Sequence, residues 1–180
     1  MADYCDLAPT HPVHQPYHDN EYGFPVENDD ALFERLVLEI NQAGLSWLTI
    51  LNKRTAFRQA FDGFAIARVA GYGEADRERL LTDAGIIRNR LKIDATIHNA
   101  GVILGLQSEH GSFKAWLNHH HPLPLNDWVR VFKRTFRFTG PEIVNEFLMS
   151  TGYLPGAHRE DCPVHARIVA CRPAWADSSR

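Results

Sequence analysis

The sequence predicts an all-α fold of many short helices joined by short loops, and three observations carry that prediction. Apolar residues recur at intervals of three and four along most of the chain, no stretch alternates apolar and polar residues between hairpin-type turns, and Gly, Pro, Ser and Asn fall where helices would begin and end. The 180 residues suffice for a core of their own, so one domain spanning 1–180 is expected.

Residues 1–28 are rich in Pro, His, Asp and Asn, hold no sustained period and read as a loop-rich end segment. From Asp29 the pattern changes. In "DDALFERLVLEINQAG", Leu32, Phe33, Leu36, Val37 and Ile40 form one helical stripe, with Asn28 or Asp29 as N-cap and Gly44 as the stop. Ser46 caps the next helix, where Trp47, Ile50, Leu51, Phe57 and Phe61 recur at helical intervals until "DGF" breaks the run. A short helix over about 65–70 and another over "EADRERLLTDAG" follow. A longer one, over about 89–107, carries Ile93, Ile97, Ala100, Ile103 and Leu104, and glycines at 71, 73, 85 and 111 punctuate the joins. Past "SFKAWLNHH" and the Pro-rich "HPLPLN", Asn126 is expected to cap "DWVRVFKRT". In "GPEIVNEFLMSTG", Pro141 fits the first helical position and Gly152 the stop. Residues 153–180 close the chain as a second loop-rich segment.

Composition excludes several classes. Hydrophobic residues at 44% and charged residues at 23% suit a soluble globular chain, and no apolar run approaches the roughly 20 residues a membrane span needs. The start, "MADYCDLAPTHP", lacks a basic segment and an apolar core, so a cytoplasmic protein is expected. A net charge of -3 argues against wholesale electrostatic attraction to nucleic acid and leaves only a local basic patch for that role. Cys5, Cys162 and Cys171 are odd in number and far apart, which predicts reduced thiols rather than a disulfide framework.

Three groupings have chemical content. His158 and Cys162 in "HREDC" are four positions apart and can converge on one ion, while Cys5 and His18 form a second pair near the N-terminus; together they would complete a tetrahedral zinc shell, the alternative being four scattered residues in a chain with ten histidines. His14, His165 and the run His119, His120, His121 are rival ligands on spacing alone, and Cys171 reads as a free thiol. The second grouping is "LEINQAGLSW". Glu39 stands at the border of the apolar stripe, where a carboxylate commonly just reaches water; alternatively it closes a pocket with Trp47, Tyr17 and Tyr22, suited to a flat cationic or amino-bearing ligand. The third is "FKRTFRFTGPE", where Lys133, Arg134 and Arg137 interleave with Phe132, Phe136 and Phe138 ahead of Gly140 and a Pro-initiated helix. That pattern fits either a phosphate-holding helix start or an amphipathic hairpin with solvated cations.

"YHDNEYG", "LEINQAGLSWLTILNKR", "DAGIIRNRLKI", "FRFTGP" and "HREDC" occur in the order found in the 3-methyladenine DNA glycosylase I family, and the sequence resembles that family across most of its length. The resemblance implies a helix-hairpin-helix glycosylase fold in which a zinc ion held by Cys5, His18, His158 and Cys162 joins the N- and C-terminal segments. It assigns Glu39 to base recognition and to catalysis, Trp47 and Tyr17 to stacking on the flipped base and Tyr22 to the pocket wall, with Trp47 and Tyr17 expected to sandwich the base. It makes the hairpin from Phe136 to Gly140, with Lys133, Arg134 and Arg137, the segment that grips DNA. Double-stranded DNA bearing alkylated bases is the implied partner and a monomer the implied working form. Glu39 and, more weakly, Asp161 are the candidates for a general base. Leu7, His14, Thr135, Gly156 and Ala157 depart from the family pattern and bear on substrate preference rather than on fold or metal. Two other classes stay open on the sequence: a lesion-binding module without catalysis, and a zinc-stabilised helical interaction domain.

Overall fold

Asn28 starts the central helix: its side chain accepts from the backbone N–H of Ala31, and α3 (Asp29–Gln42) runs from there through the middle of the molecule. In the computed structural model, which describes residues 3–177, the ends of the expected 1–180 unit lie outside the described residues. α3 touches α4 (Trp47–Ala60), α5 (Ile66–Ala70), α7 (Arg90–His110), α8 (Phe113–His120) and α10 (Pro141–Ser150). Helices α6 (Glu74–Thr82) and α9 (Leu125–Thr135) complete this body, and no strand occurs among the described residues. Ringed on all sides, α3 buries not only Leu32, Phe33, Leu36, Val37, Leu38 and Ile40 but also Glu34, Arg35, Glu39 and Asn41. The single stripe read from the sequence therefore understates its burial, and Glu39 is enclosed rather than reaching water at a stripe border.

The expected cap at Ser46 holds and Asn89 caps α7 in the same way, each side chain accepting from a backbone N–H three residues on. Asn126 does not cap: α9 begins one residue earlier, after Pro124, whose fixed φ suits a helix start. Leu104 of α7 is 38% exposed while Leu106 turns inward, a difference set by which flank of α7 its neighbours cover. An aromatic cluster of Phe113, Trp116, Trp128, Phe132, Phe136 and Phe147 joins α8, α9 and α10, with Phe113 and Phe147 stacked at 6.1 Å.

Two ties shape the ends of the central elements. The Lys92 ammonium, buried in α7, donates to the carbonyls of Asn41 at 2.9 Å and Ala43 at 2.7 Å. It thereby satisfies the orphan carbonyls at the C-terminus of α3, where a cation is also favoured by the helix dipole. This fixes the turn carrying Gly44 (φ +80) and delivers Trp47 at the start of α4. Asn99 pins the turn between α9 and α10, accepting from the Arg137 N–H at 2.8 Å and donating to the Arg137 carbonyl at 3.0 Å.

The ends are less loop-like than expected. α1 (Tyr4–Leu7), a 3-10 turn (Ala8–Thr10) and α2 (His14–Asn20) fill the first segment, and α11 (Pro163–Ala170) the last. The core of the first segment is Cys, His and aromatic side chains, and α11 contributes only the short aliphatic pair Val164 and Ile168, so a search for sustained apolar period misses both. Pro16 lies in the first turn of α2 and Pro163 at the first position of α11, where neither costs a hydrogen bond.

Candidate functional site

The two chain ends meet in a buried cluster. Ligand atoms of Cys5, His18, His158 and Cys162 all lie within 4.8 Å of one another, and all four residues are buried. His158 Nδ1 is 3.6 Å from both Cys5 Sγ and Cys162 Sγ, and His18 Nε2 is 3.9 Å from Cys162 Sγ. Tetrahedral bonds of about 2.3 Å to sulfur and about 2.0 Å to nitrogen would set such atoms roughly 3.5 Å apart, so the cluster has the dimensions to hold a metal ion. The outer nitrogens agree: His158 Nε2 faces the Tyr22 carbonyl at 2.8 Å and His18 Nδ1 faces the Asp19 carboxylate at 2.7 Å. A carbonyl only accepts, so His158 carries its proton on Nε2 and turns the bare Nδ1 toward both thiols. Burial lowers the His158 pKa, against the opposing pull of that carbonyl, and the neutral ring is the ligating form.

The rival ligands are placed elsewhere. His14 faces the Tyr4 hydroxyl at 3.2 Å, His165 lies against Trp175, and the run at His119, His120 and His121 ends α8 outside the cluster.

Beside the cluster lies a cavity of about 850 Å³ lined by Tyr4, Tyr17, Tyr22, Glu39, Trp47, Gly140 and Glu146, among others. All the residues expected to form a pocket, from two separate stretches of sequence, line this one space. α2 brings Tyr17 one position before His18, so the Cys/His cluster and the cavity share a helix. Arg35 donates to the Tyr17 hydroxyl at 3.0 Å and to the Glu21 carbonyl at 3.1 Å, and Arg54 grips the Glu21 carboxylate with both terminal nitrogens at 2.8 and 2.7 Å. Tyr17 is thus held from behind by a satisfied ionic network.

Glu39 is 5% exposed and makes no hydrogen bond or ion pair with any described residue. Burial first, and then the charge of Glu146, pushes its pKa up to about 8, with Arg35 working the other way. Burial raises the Tyr4 pKa, with the nearby Trp47 indole N–H opposing only weakly; no aligned hydrogen bond forms, and that donor stays buried and unpartnered. An unused carboxyl at the wall of an aromatic cavity is what a polar, planar ligand would satisfy. The rings of Tyr17 and Trp47 are 5.1 Å apart at 57°. A base held between two rings needs them roughly 7 Å apart, twice a carbon contact distance of about 3.5 Å, so the expected sandwich is corrected to a corner on which one face can stack.

Lys133, Arg134 and Arg137 are exposed and form no ion pair among the described residues, while Phe132 and Phe136 enter the core. The hairpin is amphipathic, as one side of the sequence alternative has it, and its exposed cations stand beside α10, whose N-cap Gly140 also lines the cavity. Asp161 is exposed, bonded to Arg159 at 3.0 Å, and belongs to the outer face of the metal cluster rather than to the cavity. From there its carboxylate does not face the cavity.

A model of the methyladenine glycosylase family matches residues 7–131. The chain belongs to that family. DNA-3-methyladenine glycosylase 1 of Escherichia coli K12 is 36% identical over 167 residues, covering 82% of this chain and 89% of that protein. DNA-3-methyladenine glycosylase of Haemophilus influenzae is 31% identical over 91% of this chain and 98% of its own length. Among solved structures, 3-methyladenine DNA glycosylase I from Staphylococcus aureus superposes with a TM-score of 0.80 at 33% identity, covering 89% of this chain and 95% of that one. A variant of 3-methyladenine DNA glycosylase I in complex with 3-methyladenine also scores 0.80, at 31% identity over 91% of this chain and 97% of its own.

This methyladenine glycosylase carries cavity residues that sequence reasoning missed. Tyr4 has no periodic signal and became visible only when its neighbour Cys5 was placed in the cluster. Glu142 and Glu146 stand four positions apart on one face of α10, a spacing visible in the sequence, but nothing local says that this face looks into a cavity.

Proposed function

We propose that this enzyme is a base-excision repair glycosylase that hydrolyses the N-glycosidic bond of 3-methyladenine in alkylated double-stranded DNA. In this reading it works as a cytoplasmic monomer and a single domain, with α9, the 136–140 turn and α10 as its helix-hairpin-helix. The observation that carries the reading is Glu39, a buried carboxyl with no protein partner at the wall of an aromatic cavity. Membership of the methyladenine glycosylase family, with a relative captured in complex with 3-methyladenine, supports it.

The target base must first leave the duplex stack, at a cost of a few kcal/mol that is least for damaged bases. Methylation at N3 makes adenine a cation, so when the bond from C1′ to N9 breaks, its electron pair neutralises the base and positive charge passes to the sugar. Little acid catalysis is needed, and water completes the substitution at C1′. The protein supplies selection and orientation. Trp47 and Tyr17 form the corner on which the ring stacks, Tyr22 closes the wall, and the Glu39 carboxylate accepts a hydrogen bond from the exocyclic amino group. In this low-dielectric setting that anion favours a cationic base over neutral adenine. Lys133, Arg134 and Arg137, with the backbone N–H groups after Gly140, hold phosphates flanking the flipped nucleotide.

Cys5, His18, His158 and Cys162 would hold Zn²⁺ in a closed tetrahedral shell, and the ion's contribution is structural, fixing α1, α2 and the C-terminal segment together behind the tyrosine wall. The decisive experiment incubates the protein with methylated DNA and identifies the bases released. Wild type is expected to release 3-methyladenine and Glu39→Gln to be slower by at least about a hundredfold. No release by wild type, or an undiminished rate in the variant, overturns the reading.

A further inference from the structure

The cavity wall carries three carboxyl groups and no cation. Glu39 is joined there by Glu142 and Glu146 of α10, and no Lys, Arg or His is among the lining residues. α10 packs directly on α3, and the Tyr22 hydroxyl donates to Glu146 Oε2 at 3.2 Å. Arg35, the cation nearest to offsetting these acids, is spent on Tyr17 and Glu21.

We propose that Glu146 is a specificity-determining residue of the base pocket: a second carboxylate, oriented by Tyr22, that with Glu39 makes the cavity select a cationic base over a neutral one of the same shape. This rests on the reading of the cavity as the base site. The remaining groups facing the pair are Tyr4 from α1, Tyr17 from α2, Tyr22 from the following turn and Arg35 from α3, while α4 contributes the uncharged Trp47. The two acids act on each other: burial and then Glu146 raise Glu39, and burial raises Glu146 against the Tyr22 hydrogen bond, with Glu142 adding to the rise. A cation entering between them supplies the missing counter-charge, so its binding releases a proton to solvent. The attraction lapses when the base becomes neutral on cleavage, which eases its departure.

The test measures binding of two free ligands, the permanent cation N3,N9-dimethyladeninium and 3-methyladenine in alkaline buffer where it is uncharged. Wild type is expected to prefer the cation, and Glu146→Gln to lower that preference about tenfold, the equivalent of one pH unit, with the affinity for the neutral ligand little changed. Glu146→Asp keeps most of the preference. A purely structural role would instead weaken both ligands together and leave their ratio unmoved. An unchanged ratio in Glu146→Gln overturns the inference. If that variant does not fold, Tyr22→Phe, which removes only the donor to Glu146, is expected to lower the ratio severalfold, and an unchanged ratio there overturns it equally. Loss of both ligands in Glu39→Gln beside an unmoved ratio in Glu146→Gln would sink the inference and leave the base-site reading standing. Failure of wild type to bind either ligand would sink both.

Discussion

Glu39 shows how a functional residue opposes stability. Its pKa of about 8 in the folded chain stands above the ordinary 4.5, so between those values the folded protein holds a proton that the unfolded chain has released. Stability tied to that proton is fully present below about pH 4.5 and is lost as pH rises through about 8. Glu39→Gln, neutral at every pH, is therefore expected to melt at the same temperature as wild type near the acidic end. Above pH 8 it should melt several degrees higher while excising far more slowly. Thermal melts across the pH range check this, and a variant less stable than wild type in alkali would contradict it. The carboxyl was legible in the sequence as a residue of interest. Its enclosure was not, because a border position on a helical stripe says nothing about what packs on the other side.

At the scale of elements, the join after α3 and the loop after α2 position the cavity walls. Lys92→Met removes the ammonium that caps Asn41 and Ala43 while keeping most of the apolar stem. The expected loss is about 1–3 kcal/mol, for two carbonyls left unsatisfied. Because the same turn carries Trp47, KM for damaged DNA should rise more than kcat falls; denaturant melts and steady-state kinetics read the two effects separately. Gly23, which ends "YHDNEYG", has φ +90, and an added Cβ would come within 2.8 Å of Ala157 Cβ and 2.9 Å of Ile168 Cδ1. Gly23→Ala should cost about 1–3 kcal/mol through strain and overpacking and loosen the C-terminal segment against α2. Chelator challenge monitored by metal release checks it, with faster loss expected than in wild type. The helices were legible because caps and apolar spacing are local. Lys92 as a cap was not, since its partners are about fifty positions away.

For the whole molecule the closing contact is the clasp between chain ends. Cys5→Ser or Cys162→Ser is expected to abolish tight zinc binding and lower the melting temperature by roughly 10 °C or more, as removal of a structural metal tie costs several kcal/mol. Excision should fall as well, because Tyr4, Tyr17 and Tyr22 stand within five positions of a ligand and lose their backing. Elemental analysis and melting curves decide it; wild-type stability in a metal-free variant would show the cluster to be no clasp. Replacing Lys133, Arg134 and Arg137 together by Gln should leave melting almost unchanged. It should weaken DNA binding at all sequences and flatten its salt dependence.

By itself the sequence determined the all-helical character and most helix boundaries, which follow from local spacing. The Cys/His cluster and the main cavity residues were singled out by the ordered motifs shared with the 3-methyladenine DNA glycosylase I family, because spacing alone left His14, His165 and His119 to His121 as rivals. Only the tertiary structure decided that Glu39 is buried at the cavity wall, that Tyr17 and Trp47 form a corner instead of a sandwich, that Asp161 lies outside the cavity, and that Glu146 shares it. Each of those depends on which elements pack against one another, and a side chain's charge state and reach are set by neighbours that may be more than a hundred residues away along the chain, as Glu146 is from Glu39 and Tyr22.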